Sequence, residues 1–309
     1  MTGKRVMVVG GTGKIGKHLV PKIVGLGNEV HAIARFGQLG QRERLEALGV
    51  RCFAADVTCP AAFHGIPNDY DVVFHEAALK FGSENDLDAT MEINVRAVGR
   101  AMEHFAPTRA FLFASSANVY ADSAEGADEA TLPRPPSLYA TSRLGGEWMV
   151  DYFSRRNGTP AVLQRICYGY HEEFGVPTDI ARRIRDGEPI DLTTECVNVI
   201  WLDDLMDAMI ASWRVASVPA KVLNLTSPER TSVRAIAERL GELMGIAPKF
   251  KGTPKGTSLL ARADEMVRLL GAPKTGLDEG LRRIARSVLA REHLLDHPTQ
   301  WEKRDGFGK

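Results

Sequence analysis

The run Val6-Met7-Val8-Val9-Gly10-Gly11-Thr12-Gly13-Lys14-Ile15-Gly16 limits this chain more than any other stretch. An apolar run without a charge predicts a strand buried on both faces, and glycines at spacing three predict a sharp turn straight into a helix. The physical use of such a turn is to hold an anion. Gly10 takes the tight turn, Gly13 lets the backbone approach a pyrophosphate, and Gly16 lets the helix sit close on the sheet with its first N–H groups facing phosphate. A plain strand-turn-helix satisfies the same pattern, so the rest of the chain must decide.

From Met1 to about Pro160 the apolar periods alternate between strand and helix. Arg5 to Val9 reads as a strand, Ile15 to Leu26 as a helix, Glu29 to Ala34 as a strand, Arg42 to Leu48 as a helix and Arg51 to Ala54 as extended. Asp71 to Phe74, Ala110 to Ala114 and Ala161 to Leu163 continue the strands. Leu87 to Phe105 and Leu138 to Arg155 read as single long helices. This alternation predicts an α/β fold with a doubly wound parallel sheet, whose ligands sit at the carboxyl ends of the strands. After residue 165 the rhythm loosens and glycine and proline become frequent. Residues 1–165 are therefore expected to form the dinucleotide-binding domain and 166–309 a smaller lobe over the substrate. Segments around 198–225 are expected to return to the main sheet, with Val222 to Leu225 as a strand. Asp203 to Trp213, Val233 to Met244 and Leu277 to Ala290 read as helices, and the polar tail from His297 is expected to be loose.

Lys+Arg and Asp+Glu are balanced at 39 each, which gives no electrostatic reason to expect nucleic acid or an anionic membrane as partner. No apolar run approaches the roughly 18 residues of a membrane span, and Lys4-Arg5 leads into a strand without a secretory cleavage pattern, so a cytoplasmic location is expected. Cys52, Cys59, Cys167 and Cys196 show no metal-ligand spacing; free thiols and no metal are expected.

Several ordered motifs together resemble the extended short-chain dehydrogenase/reductase superfamily, also called NAD-dependent epimerase/dehydratases. Gly10 to Gly16 looks like the family's cofactor loop, Asp56-Val57 like the pair beside the adenine, and Val72 to Ala78 like its fourth-strand motif. Asn94-Val95 resembles a helix-start motif, Phe113 to Tyr120 the stretch with the catalytic hydroxyl, and Tyr139-Ala140-Thr141-Ser142-Arg143 the YxxxK motif. The resemblance implies a Rossmann-type sheet and a cofactor site of Gly10, Gly13, Lys14, Ile15, Gly16, Arg35, Asp56, Val57, Ala77, Ala78, Asn94, Tyr139, Arg143 and Ile166. It also implies a homodimer through the two long helices.

The chemistry agrees with the resemblance. A carbonyl that gains a hydride, or an alcohol that loses one, needs a proton donor or acceptor at its oxygen. Tyr139 is placed in that role. A free phenol titrates near 10, so a cation must stabilise its anion, and Arg143, four residues along the helix, lies on the same face. Ser116, at a strand end, is expected to orient the reacting oxygen. Ser115 and His75 read as structural, and Glu76 is open to either role. The family places lysine where Arg143 stands; arginine keeps the charge but cannot relay a proton.

At the end of the second strand, where an acid would take the ribose hydroxyls, the chain has Ala34 and Arg35. This favours NADP(H), with NAD(H) possible, and Lys14 could add a second cation for the 2'-phosphate. The acidic pair of sugar dehydratases is missing at Ala117 and Asn118. No asparagine follows the sixth strand, and no diphosphate signature is visible between Lys251 and Asp264. These gaps favour a reductase of a small polar or sugar-like molecule; the stretch from Arg262 to Arg282 keeps a nucleotide-sugar epimerase as the alternative, and a degenerate cofactor-binding protein as a further one. Lys80, Ser83, Glu84, Asn118, Tyr168 and His171 are expected to face the substrate.

Overall fold

The computed structural model describes residues 1–291, 299, 301 and 302. Seven parallel strands form its central sheet: β1 (Arg5–Val9), β2 (Glu29–Ala34), β3 (Arg51–Ala54), β4 (Val72–His75), β5 (Ala110–Ser116), β6 (Ala161–Ile166) and β11 (Lys221–Leu225), in the order β11-β6-β5-β4-β1-β2-β3. Val8 pairs with Ala32 on one side and with Phe74 on the other, so the strand order reverses at β1. The crevice outside the carboxyl ends at that point is where open α/β sheets bind ligands.

Alternate residues feed two layers. Val8, Phe74, Leu112 and Leu223 pack under helices α1 (Gly16–Gly25) and α7 (Leu202–Ala211). Met7, Val73, Phe111 and Phe113 pack under α4 (Ala97–His104) and α5 (Leu138–Asn157). A third cluster lies outside the sheet, where α6 (Val176–Asp186), α8 (Val233–Met244) and α10 (Leu277–Ala290) bury Ile180, Leu240 and Ile284 around Trp201. Between these helices lie short two-stranded pairs: β7 (Gly169–Tyr170) with β10 (Ile200–Trp201), β9 (Cys196–Val197) with β12 (Thr231–Ser232), and β8 (Ile190–Asp191) with β13 (Phe250–Lys251). Helices α2 (Gln41–Glu46) and α9 (Asp264–Leu270) follow β2 and β13 in sequence order. Among the described residues no helix is long and apolar enough to cross a membrane.

Local chemistry explains where the key helix begins. Ser137 accepts a hydrogen bond from the Ala140 N–H at 3.2 Å and thereby caps α5, and Gly158 ends the helix in the left-handed conformation. Tyr139 is thus fixed in its first turn.

Two expected elements differ. The segment from Leu87 to Phe105 is not one regular helix: α3 (Leu87–Met91) passes through a π-turn (Glu92–Arg96) into α4. The wider turn lets Asn94 reach sideways, its amide bonded to Leu79 N and O at 2.9 Å and to Ser142 Oγ at 2.8 Å. The fourth strand begins at Val72 rather than Asp71, whose carboxylate accepts from the Arg5 N–H at 3.0 Å. Most of the tail from His297 lies outside the described residues. Within it, however, Thr299 N–H donates to Asp179 at 2.7 Å and Trp301 is buried, so these two are not loose.

Candidate functional site

A cavity of about 420 Å³ opens at the carboxyl edge of the sheet. One wall is the glycine loop. Gly10 has φ of 92°, and a Cβ there would lie 2.6 Å from the Ala77 nitrogen; a Cβ on Gly16 would lie 2.5 Å from the Gly10 carbonyl. Only hydrogens fit at either position. The start of α1 carries no side-chain cap and no acid in its first turn, and Gly13, Lys14, Ile15 and Gly16 all line the cavity. A helix start without a side-chain cap beside a cavity suits a pyrophosphate.

The opposite wall carries Ser116, Asn118, Tyr139, Ile166 and Tyr168, with Ala78 and Lys80 between. Ser116 Oγ accepts from Asn118 N–H at 3.2 Å and from Asn118 Nδ2 at 2.9 Å. Its acceptor capacity is used, which leaves its own proton to donate. Asn118 therefore serves the serine. The Tyr139 ring lies 5.8 Å from the Lys80 ammonium. Tyr168 holds φ at 46°, a conformation that bulky residues rarely adopt and that fixes its place on the wall.

Other expected residues lie elsewhere. Ser83 is buried in a short turn and its carbonyl accepts from Thr90 Oγ1 at 2.9 Å. Glu84 accepts from the Tyr139 N–H at 3.2 Å, so it steadies the helix start and does not line the cavity. His171 packs against His18 outside the cavity lining. Asn94 and Ala77 stay behind the wall, the first because its amide is committed to Leu79 and Ser142, the second because its backbone is pressed on Gly10. Arg35, Asp56 and Val57 also lie off the lining: Arg35 and Asp56 face each other at 4.0 Å, and the Val57 carbonyl accepts from Arg100 at 2.9 Å. Lys14, unlike Arg35, is among the lining residues. Its ammonium lies on the cavity wall, 4.4 Å from the centre of the Phe81 ring, and burial lowers its pKa.

Arg143 departs most from expectation. It is buried to 1 % exposure and off the cavity lining, with its guanidinium 4.4 Å from the Phe113 ring centre and Nη2 donating to the Ala114 carbonyl. Its Nε and Nη1 have no hydrogen-bond partner among the described residues. Burial lowers its pKa, while Tyr139, Glu76 and Glu147 act to hold the charge. A longer, planar side chain in the place of lysine thus lodges beneath the wall and acts through space.

Facing it, Glu76 lines the cavity with both carboxyl oxygens buried and unpartnered among the described residues, and burial pushes its pKa up to about 8 against the pull of Arg143. The sequence left this residue open; a lone acid between an apolar strand and two alanines was the available signal. His75 is fully buried beside Phe111 and Phe113, and burial together with the Arg143 charge pushes it down to about 3, so it stays neutral. Ser115 lines the cavity, with its hydroxyl proton donated to Glu147 at 2.5 Å. Leu79, Phe81, Phe174, Leu259 and Trp301 supply an apolar lining that sequence reasoning missed, because several come from the lobe without periodic pattern.

The family model for the NAD dependent epimerase/dehydratase family matches residues 6–225. The chain is 21% identical over 305 residues to an uncharacterized UDP-glucose epimerase of Bacillus subtilis, covering 90% of this chain and 95% of the relative. It is 23% identical over 287 residues to a UDP-N-acetyl-alpha-D-glucosaminuronate decarboxylase of Bacillus cytotoxicus, covering 81% and 84%. The crystal structure of UDP-glucuronic acid 4-epimerase from Bacillus cereus in complex with NAD superposes with a TM-score of 0.79 at 20% identity, covering 92% of this chain and 96% of that one.

Proposed function

The chain belongs to the NAD-dependent epimerase/dehydratase family, and from that membership we propose that it oxidises and re-reduces a hydroxyl-bearing carbon of a nucleotide-activated sugar, in the manner of an epimerase. The observation that carries this reading is the meeting of Ser116 and Tyr139 with the uncapped start of α1 in one cavity. The substrate class is supported by the UDP-sugars in the names of the similar proteins.

A nicotinamide dinucleotide, when bound, supplies the two-electron redox chemistry. Gly13, Lys14, Ile15 and Gly16 would hold its pyrophosphate, Arg35 its adenosine ribose and Asp56 and Val57 its adenine, and Ala78 and Ile166 line the cavity with Ser116 and Tyr139. Tyr139 exchanges a proton with the substrate hydroxyl. Ser116 donates its remaining proton to the same oxygen and sets its position. Arg143 stabilises negative charge on the phenol from beneath the wall without itself relaying a proton. Glu76 holds a second exchangeable proton at the cavity surface.

One observation favours a second reading, an NADP(H)-dependent reductase: Arg35 stands at the end of β2 with no carboxylate at position 34. We also assign homodimerisation to the face of α4 and α5, where Trp148 and Tyr152 are 67% and 55% exposed. The two catalytic readings separate in one experiment. The purified protein is assayed for carried cofactor and then incubated with UDP-sugars. An epimerase interconverts them without net consumption of dinucleotide, and Tyr139→Phe slows this about 10²–10⁴-fold. Stoichiometric oxidation of NADPH by a carbonyl compound would replace this reading with the reductase.

A further inference from the structure

Outside the cavity lining, three side chains from two segments converge. His18 projects from α1, and His171 and Glu173 come from the loop that follows β7. Each offers a ligand atom, and these atoms lie within 4.8 Å of one another. The two imidazole rings are 5.2 Å apart between centres and tilted by 58°, and His18 Nε2 lies 3.9 Å from Glu173 Oε2. His18 Nε2 and His171 Nδ1 are buried and have no hydrogen-bond partner among the described residues. Two unpartnered imidazole nitrogens in a cluster that also holds a carboxylate leave polar capacity unused, which a native structure normally satisfies.

The other nitrogen of His171 is already fixed: Nε2 lies 2.8 Å from Glu172 Oε2. A ring nitrogen held by a carboxylate while its partner nitrogen stays free is the arrangement that orients histidine toward a metal. We propose that His18, His171 and Glu173 bind a divalent transition ion of the zinc class, which pins the loop after β7 to helix α1.

Two imidazoles and one carboxylate select such an ion over magnesium or calcium, which prefer oxygen donors alone. Zinc bond lengths of ~2.0–2.2 Å would draw the three ligand atoms, now within 4.8 Å of one another, to ~3.4 Å apart, a closure of up to ~1.4 Å within reach of side-chain rotation. The side chains are 20–24% exposed, so an ion can enter from solvent, and the fourth position is left for water. Lys17 opposes binding, because its ammonium donates to Glu173 Oε2 and must yield the carboxylate. Phe174 carries the consequence inward. Its ring lies 6.4 Å from that of His18 and 6.5 Å from that of His171, and it lines the cavity, so the ion fixes part of the cavity wall.

The test uses the full chain after chelator treatment, titrated calorimetrically with Zn²⁺ and Mg²⁺ and spectroscopically with Co²⁺. One equivalent of Zn²⁺, no Mg²⁺, and the visible Co²⁺ bands of a four-coordinate site are expected. His171→Gln and Glu173→Gln should each weaken Zn²⁺ binding at least about tenfold, Glu172→Gln about tenfold, and Lys17→Ala should strengthen it. The metal-free melting temperature of each variant shows whether its fold is kept. A protein with Cys52→Ser and Cys59→Ser should bind as the wild type does. No Zn²⁺ uptake by the wild type, unchanged binding in His171→Gln, or loss of binding only with the cysteines would each overturn the site.

Discussion

Arg165 grips Glu147 at two points, Nε to Oε1 at 2.9 Å and Nη2 to Oε2 at 2.6 Å, with side chains only 5% and 2% exposed. The pair ties α5 to β6, and a chain of bonds runs on from Arg165 Nη1 to Tyr120 Oη at 2.8 Å and from that hydroxyl to Asn224 at 2.9 Å. Glu147→Ala leaves a buried guanidinium without its counter-charge and is expected to cost about 3–5 kcal/mol in urea unfolding. Joint replacement by Glu147→Leu and Arg165→Met should recover most of that loss, because neither charge then remains to be solvated.

Glu76 gives stability a pH dependence of unusual direction. Burial raises its folded pKa from the ordinary 4.5 to about 8. Between those values the unfolded chain has released the proton and the folded chain still holds it, so rising pH favours unfolding across this window. Glu76→Gln removes the effect. Its unfolding free energy should exceed that of the wild type at pH 8 and above, with the difference shrinking toward zero as pH falls to 4.5. Equal differences across the range in urea titrations would contradict the assignment.

Arg35 decides between the two dinucleotides if it reads the 2'-phosphate. Its side chain is 74% exposed and its nearest carboxylate, on Asp56, stands at 4.0 Å, so it is free to turn toward a phosphate. Arg35→Asp should shift the affinity ratio at least about tenfold from NADPH toward NADH, as measured by calorimetric titration. An unchanged ratio would make Arg35 an ordinary surface charge.

The α4–α5 face should be covered by a second copy of this chain. Trp148→Glu places a charge where a large apolar side chain is 67% exposed, and sedimentation is expected to report a dimer for the wild type and a monomer for the variant. The melting temperature should fall with dilution in the wild type and not in the variant.

The parallel sheet was legible because its strands are uninterrupted apolar runs and its helices carry a clear period; Val6–Val9 and Ala110–Ala114 leave little choice. The glycine loop was legible for the same local reason. What the sequence hid depends on distance in the chain. Arg143 follows Tyr139 by four residues, but only packing against Phe113 and Ala114 determines that its guanidinium lodges beneath the wall. Glu84 and Ser83 sit beside the expected substrate position in sequence, yet backbone hydrogen bonding turns both away. The π-turn at Asn94 is invisible to a periodicity argument, since it exists to satisfy Leu79, fifteen residues earlier.

One edge strand of the sheet, β11, follows the lobe helix α6 in sequence and lies beside β6 in space. On a ribosome, the sheet that carries the glycine loop therefore waits for residue 225 before its last strand is covered, and β6 remains an open edge until then. A chain cut after residue 166 would not release a self-sufficient half; it would release a sheet with an adhesive border, available to any extended peptide that reaches it first.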